Sequence, residues 1–156
     1  MLIACAALAF AAQPAPSAPA IEAIVPEGSE WVLERFRFSP AVRAGDMIYL
    51  SGVVAGRPEG EAPGQDAYEA QFERAFQALA RTLDAAGADF SDVAEMTTYH
   101  VDFADETHRA AFMAVKDRYM PAPPYPAWTA IGVERLWPDN GLVEIRLVVY
   151  APRDSE

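Results

Sequence analysis

An acidic and a basic side chain lie two residues apart in an otherwise apolar stretch near the end of the chain. Side chains of a strand point alternately to its two faces. In Val143–Val149 every second residue, beginning with Val143, is apolar and faces the core, whereas Glu144 and Arg146 lie on the other face. An unpaired buried charge is costly, so these two residues need a partner, a solvent-filled recess or an interface. We therefore place the functional site beside this strand, where Glu144 can act as a base toward water; the alternative is a structural ion pair with Arg146 or with a neighbouring subunit.

The segment that carries this pair, Tyr125–Tyr150, predicts two strands, because its alternation breaks at Pro138–Gly141 and then resumes. A further strand is predicted over Met47–Val54. It contains Ser51 and Gly52, whose hydroxyl and backbone amide could bind a carboxylate or carbonyl oxygen. A simple strand end would have the same residues.

Three more residues near the acid are candidates for contact with a ligand. Trp128 offers a flat apolar surface on which an aromatic or cationic ligand can stack, and the alternative is that it only fills the cleft. Arg146 can anchor a carboxylate, or it can pair with Glu144 or another acid. Thr129 offers a hydroxyl next to the indole.

Other sequence patterns predict the elements that position these residues. Glu30–Phe38 alternates and is predicted to be a strand, as is Val93–Phe103. Helical spacing of apolar residues predicts a helix over Asp66–Ala86, which Gly87 ends in a left-handed conformation. A second helix is predicted over Asp105–Tyr119, with the aspartate as its N-cap.

The resulting order is strand, strand, helix, strand, helix, strand, strand, and it predicts an α+β domain of two layers over residues 21–156. Two helices can cover one face of a mixed sheet, and none is left for the other face. That uncovered face would carry Trp128, Glu144 and Arg146, so we expect self-association to bury it.

Residues 1–20 are predicted to lie outside this domain, as a signal-like leader with a Pro/Ala-rich linker. They have no charged residue, and the apolar run Leu2–Ala12 resembles the hydrophobic part of a secretory signal. The segment ending at Cys5 also resembles a lipoprotein box, in which the cysteine carries a lipid anchor. Both interpretations predict export to the periplasm. The alternative is a low-complexity leader without a targeting role, on a cytoplasmic protein.

The charge and residue types disfavour several classes of function. The net charge is −11 and the 12 basic residues are scattered, which argues against binding to nucleic acid. His100 and His108 lie eight residues apart without a supporting motif, so neither a metal site nor a cofactor is predicted. Apart from the N-terminal lipid anchor, nothing indicates a membrane partner, and a small-molecule ligand is the expected partner.

Several short motifs occur in a fixed order between Phe36 and Arg153. They are Phe38–Asp46 with Ile48–Gly52, Leu83–Gly87 with Asp92–Val93, and Val133–Leu136 with Leu142–Ile145. Together they resemble the RidA/YjgF family, whose name refers to the deamination of reactive imine intermediates. The resemblance implies a chorismate-mutase-like homotrimer. In that assembly two helices lie on one face of each mixed sheet, the sheets face one another around a central barrel, and ligands bind in the clefts between subunits.

The resemblance also assigns a site, from which this chain departs at several positions. Deaminases of the family hold the substrate carboxylate with an arginine directly after a Pro-Ala dipeptide, whereas Trp128 follows Pro126-Ala127 here. Phe38, which has no hydroxyl group, stands where the family has an aromatic residue that carries one. Ala130 stands where the family has a cysteine. Glu144 matches the glutamate that positions or activates the attacking water. The chain thus resembles a branch of the family that lacks the anchoring arginine.

Three functions follow as expectations. In the first, water positioned by Glu144 attacks an imine or enamine and ammonia is released. The expected ligand contacts are Phe38, Ser51, Gly52, Trp128, Thr129 and Arg146. The second is a small-molecule-binding protein without catalysis, its activity lost together with the arginine. The third, ribonuclease activity, has been attached to the family by name and is disfavoured by the acidity of the chain.

Overall fold

Seven strands and three helices make up the part of the chain that the computed structural model describes, residues 21–57, 60 and 65–153. The strands are β1 (Ile21–Ile24), β2 (Ala41–Ala44), β3 (Met47–Leu50), β4 (Val53–Gly56), β5 (Val93–His100), β6 (Ala127–Gly132) and β7 (Gly141–Tyr150). The helices are α1 (Glu30–Phe36), α2 (Gln65–Ala85) and α3 (Glu106–Tyr119). The predicted α+β class is confirmed. The leader predicted for residues 1–20 lies outside the described residues, so its export and lipid anchor stay predictions.

Strand β7 is the centre of a single mixed sheet. On one side, the N-terminal part of β7 pairs antiparallel with β4 and its C-terminal part pairs antiparallel with β3. On the other side, β7 pairs antiparallel with β5. Strands β2 and β1 extend the sheet beyond β3, while β6 lies at the opposite edge, parallel to β5. The two strands predicted within Tyr125–Tyr150 are therefore present, but β5 separates them in the sheet.

Helices α2 and α3 cover one face of the sheet, where the core lies. The face of β7 predicted to be apolar is confirmed, because Val143, Ile145, Leu147 and Val149 are completely buried there. Helix α3 begins as predicted, with the Asp105 side chain accepting a hydrogen bond of 2.8 Å from the Thr107 amide. None of the helices in the described part of the chain is long and apolar enough to span a bilayer.

The segment Glu30–Phe36 is a helix and not the strand predicted from its alternation, so the fold has three helices where two were expected. Over seven residues, strand and helix periods distribute apolar side chains too similarly to be distinguished. The helix buries only Val32. It ends at Arg37, whose left-handed backbone (φ 57°) lets its amide bond to the carbonyls of the last turn.

The strand predicted over Met47–Val54 is interrupted by a β-bulge at Ser51-Gly52. Tyr49 pairs with Val148, and Val53 pairs with Ile145, so three residues on this strand lie opposite two on β7. The alternation of buried residues changes phase across the bulge, which lets both β3 and β4 contribute to the same core. The bulge itself lies beside the centre of β7.

Candidate functional site

Glu144 extends from the face of β7 that helices α2 and α3 leave uncovered. Its neighbours along the strand, Val143 and Ile145, are buried in the core, whereas Glu144 is only partly buried. Its partners across the sheet are Val54 on β4 and Tyr99 on β5. Paired residues of neighbouring strands share a face, so these three side chains are on the same side of the sheet.

A cavity of about 760 Å³ opens beside Glu144. Helix α1 and the residues that follow it contribute aromatic side chains to the lining, the bulge contributes Ser51 and Gly52, and α2 contributes Arg81 and Thr82. Most of the lining is apolar. The large apolar side chains are Trp31, Val32, Phe36, Phe38, Val53, Val54 and Trp137.

Gly52 allows the Glu144 carboxylate to lie directly against the backbone of the bulge. A Cβ atom at this position would overlap the carboxylate, with the Glu144 Cδ only 2.7 Å away. Any side chain at position 52 would therefore displace the acid. The close approach ties the geometry of Glu144 to the bulge.

Ser51 is fixed by two hydrogen bonds that use both of its protons. Its Oγ donates to the Ser39 carbonyl at 2.7 Å, and its amide donates to the Pro40 carbonyl at 2.8 Å. The lone pairs of the hydroxyl remain available to accept a hydrogen bond from a ligand. Ser51 thus suits an N–H group, whereas the sequence led us to expect that it would bind a carboxylate or carbonyl oxygen.

Four of the predicted site residues line the same cavity, namely Phe38, Ser51, Gly52 and Glu144. Thr129 and Arg146 lie on the uncovered face, because each pairs with Thr97 in the register of the sheet, but they do not line the cavity. Within the described residues, no ion pair joins Arg146 to Glu144.

The indole of Trp128 lies on the helix side of the sheet and not on the uncovered face. Its Nε1 donates to Thr98 Oγ1 at 3.0 Å, and its ring packs 5.9 Å from that of Phe112 on α3. Lys116 Nζ lies 5.7 Å from the centre of the indole. The prediction that Trp128 shares a face with Glu144 is therefore wrong for the single subunit.

A buried histidine pair continues the hydrogen bonds made by Thr98. His100 Nε2 lies 2.9 Å from Thr98 Oγ1, and His100 Nδ1 lies 2.9 Å from His108 Nε2. Burial and, to a smaller extent, the neighbouring His108 imidazole lower the pKa of His100 to about 4; burial also lowers the pKa of His108. The described residues contain no group of three or more His, Cys, Asp or Glu arranged to hold a metal ion.

Apart from Phe38, the aromatic residues that line the cavity were not predicted from the sequence. Trp31 and Phe36 were assigned to a strand, and Trp137 was not singled out. The available signal was the density of aromatic residues just before Ser39-Pro40, with three within Trp31–Phe38. Arg81, on α2, was not predicted as a site residue either.

Residues 32–151 match the sequence model of a protein family described as endoribonuclease L-PSP. The chain belongs to this family, which includes the RidA, YjgF and RutC proteins. The match begins at Val32 in α1 and includes every later element to the end of β7.

Members of the RidA family with curated descriptions are similar over most of this chain. The RutC family protein YjgH of Escherichia coli is 37% identical over 130 residues, which cover 83% of this chain and 95% of that protein. The 2-iminobutanoate/2-iminopropanoate deaminase of Dermatophagoides farinae is 29% identical over 114 residues, covering 72% of this chain and 84% of the deaminase. A solved structure of protein YjgH matches with a TM-score of 0.71 at 34% identity, covering 85% of this chain and 98% of that one.

Proposed function

We propose that this RidA-family protein hydrolyses imines or enamines to a carbonyl compound and ammonia, with Glu144 as the base. The observation that carries the proposal is the position of the Glu144 carboxylate, which lies against Gly52 in the lining of a cavity. The relative named as a 2-iminobutanoate/2-iminopropanoate deaminase supports the choice of reaction.

Each step of the proposed reaction can be assigned to a group in the cavity. The imine nitrogen donates its N–H to Ser51 Oγ, whose own proton is held by the Ser39 carbonyl. Glu144 removes a proton from water while the water oxygen bonds to the imine carbon. The protonated carboxyl group then returns this proton to the nitrogen. Glu144 then takes the hydroxyl proton and passes it to the amino nitrogen as the C–N bond breaks, so that the carbonyl forms, ammonia leaves and the carboxylate is restored.

We further propose that this chain represents a branch of the family without the anchoring arginine, and that it acts as a homotrimer. Trp128 stands directly after Pro126-Ala127, and its side chain contacts α3. The uncovered sheet face carries Arg146 and Thr129. In a trimer built through this face, a neighbouring subunit would place charged and hydroxyl groups close to the cleft between subunits.

The alternative is a binding protein without catalysis. The position of Trp128 favours it, because an indole donating to Thr98 cannot replace a bidentate guanidinium clamp on a carboxylate. In that case the same cavity would bind a carbonyl or imine ligand without turnover.

Ammonia release distinguishes the two functions. Imines can be generated by an amino-acid oxidase acting on L-alanine or L-leucine, and their hydrolysis followed with and without the protein. We expect acceleration by the wild type and a loss of about 100-fold or more in Glu144→Gln, because general base catalysis contributes on this scale. Glu34→Gln, on α1 but outside the cavity lining, is the matched control and should retain the rate. A wild type that binds such ligands without releasing ammonia would favour the binding protein.

A further inference from the structure

Three aromatic side chains form a continuous wall of the cavity. The rings of Trp31 and Phe36 meet edge to face with their centres 5.8 Å apart, and those of Phe36 and Phe38 stack at 6.4 Å. All three remain between 44% and 55% exposed. Trp137 is 91% exposed and lines the same cavity. Aromatic surface concentrated in a concave site is typical of ligand recognition.

The cavity is large for the imine of a small amino acid. Its volume of about 760 Å³ falls in the range of roughly 300–1,000 Å³ that pockets for drug-sized ligands occupy. A three- or four-carbon substrate near Glu144 would leave the aromatic wall in contact with water. A ligand with a ring could fill the same space and remove that apolar surface from solvent.

The polar groups of the lining also indicate what kind of molecule would fit. Glu144 and Ser51 can engage an imine or amine at one part of the cavity. Arg81 on α2 contributes a cation, and it makes no ion pair among the residues that the structure describes. An aromatic ligand that carries a carboxylate would therefore find an apolar wall, a hydrogen-bonding site and a positive charge in one cavity.

We propose that the cavity selects 2-imino acids with an aromatic side chain, whose ring packs against Trp31 and Phe36. The reaction assumed for these substrates rests on the proposed deaminase function. Recognition of the ring does not, since it depends only on the wall and would hold for the corresponding 2-keto acid as well.

Selectivity can be measured with imines produced in the same assay from L-phenylalanine and from L-alanine. We expect kcat/KM for the phenylalanine-derived imine to be higher by about tenfold or more, because burying a ring in an apolar pocket gives discrimination of this size. Trp31→Ala and Phe36→Ala should reduce this preference by about tenfold. Leu33→Ala is the control, since Leu33 is a partly exposed residue of the same helix that does not line the cavity.

Phe36→Leu keeps an apolar side chain in α1 and separates loss of the aromatic ring from loss of the helix. It should lower the preference while circular dichroism and the melting temperature stay close to the wild type. An unchanged preference in all three wall variants would overturn the proposal. So would wall variants that change the mass of the assembly and leave the preference unchanged, because the wall would then be a subunit contact.

Binding of phenylpyruvate and pyruvate to Glu144→Gln, measured by calorimetry, separates this proposal from the deaminase function. Tighter binding of phenylpyruvate, weakened by Trp31→Ala, supports the aromatic site even if no imine is hydrolysed. Conversely, hydrolysis of both imines at similar kcat/KM, with no preference between the two keto acids in binding, would support the deaminase function and contradict the proposed selection of aromatic substrates.

Discussion

At the scale of single residues, the position of the Glu144 carboxylate depends on the missing side chain of Gly52. The overlapping atoms of Glu144 are at the end of a flexible, partly buried side chain. A methyl group at position 52 can therefore be accommodated if the acid rotates away. Placement of the acid and stability of the fold should respond differently to this change.

Gly52→Ala should lower ammonia release by about tenfold or more, because misplacing a catalytic group by about an ångström has effects of this order. The free energy of unfolding should fall by no more than about 1 kcal/mol. Gly56→Ala is the matched control. It ends β4, the strand that follows the bulge, and its added Cβ would lie 3.2 Å from the Asn140 side chain, away from Glu144. Full activity in Gly52→Ala would show that the carboxylate does not need its present position.

At the scale of elements, the buried histidine pair joins β5 to α3 and should make stability depend on pH. Burial lowers the pKa of both imidazoles in the folded chain, and together with the neighbouring His108 it brings the pKa of His100 to about 4, whereas an unfolded histidine has its ordinary value near 6.5. Between these pH values the unfolded state binds more protons. Stability is therefore fully present above about pH 6.5 and is lost as the pH falls toward 4.

Urea unfolding at several pH values tests this linkage. Between pH 7 and pH 5 the free energy of unfolding should fall by roughly 2 kcal/mol from His100 alone. The chain has two histidines, so no others contribute, and acids such as Glu73, whose pKa is lowered by Tyr119, act mainly below this range. His100→Gln keeps a hydrogen-bonding side chain without this titration and should give a shallower slope. An equal slope in wild type and variant would contradict the assignment.

The elements also show where sequence patterns succeed. Helices α2 and α3 and strand β7 were predicted because each has a long, regular apolar pattern that matches its burial in the core. Short α1 offered no such length. The bulge at Ser51-Gly52 changes the phase within one apolar run, and local alternation cannot reveal that change before the pairing with β7 is known.

The side of the sheet that Trp128 faces could not be predicted for a similar reason. Strand β6 has small or apolar residues on both of its faces, so its alternation does not identify the core side. Register decides it, because Trp128 pairs with the buried Met96 on β5, whereas Thr129 and Ile131 fall on the uncovered side. Glu144 was found from sequence because its strand is strongly apolar on the other face.

At the scale of the whole molecule, the uncovered sheet face is the surface that a trimer would bury. It carries Tyr49 and Ile131, which are 38% and 39% exposed, close to the row that contains Glu144. Bulky apolar groups on a face without covering helices favour association with further copies of the chain. Assembly would also shield the cavity region from bulk water.

Light scattering should therefore give a mass of about three chains of 17.0 kDa each, if each chain comprises residues 1–156. Ile131→Glu should shift the protein toward single chains, because association would bury an unpaired carboxylate. Met113→Glu is the matched control, with the same 39% exposure but on α3, across the sheet from the uncovered face. If the wild type is a single chain at micromolar concentration, the uncovered face does not drive assembly. Ammonia release by that single chain would then place the entire reaction within the cavity of one subunit.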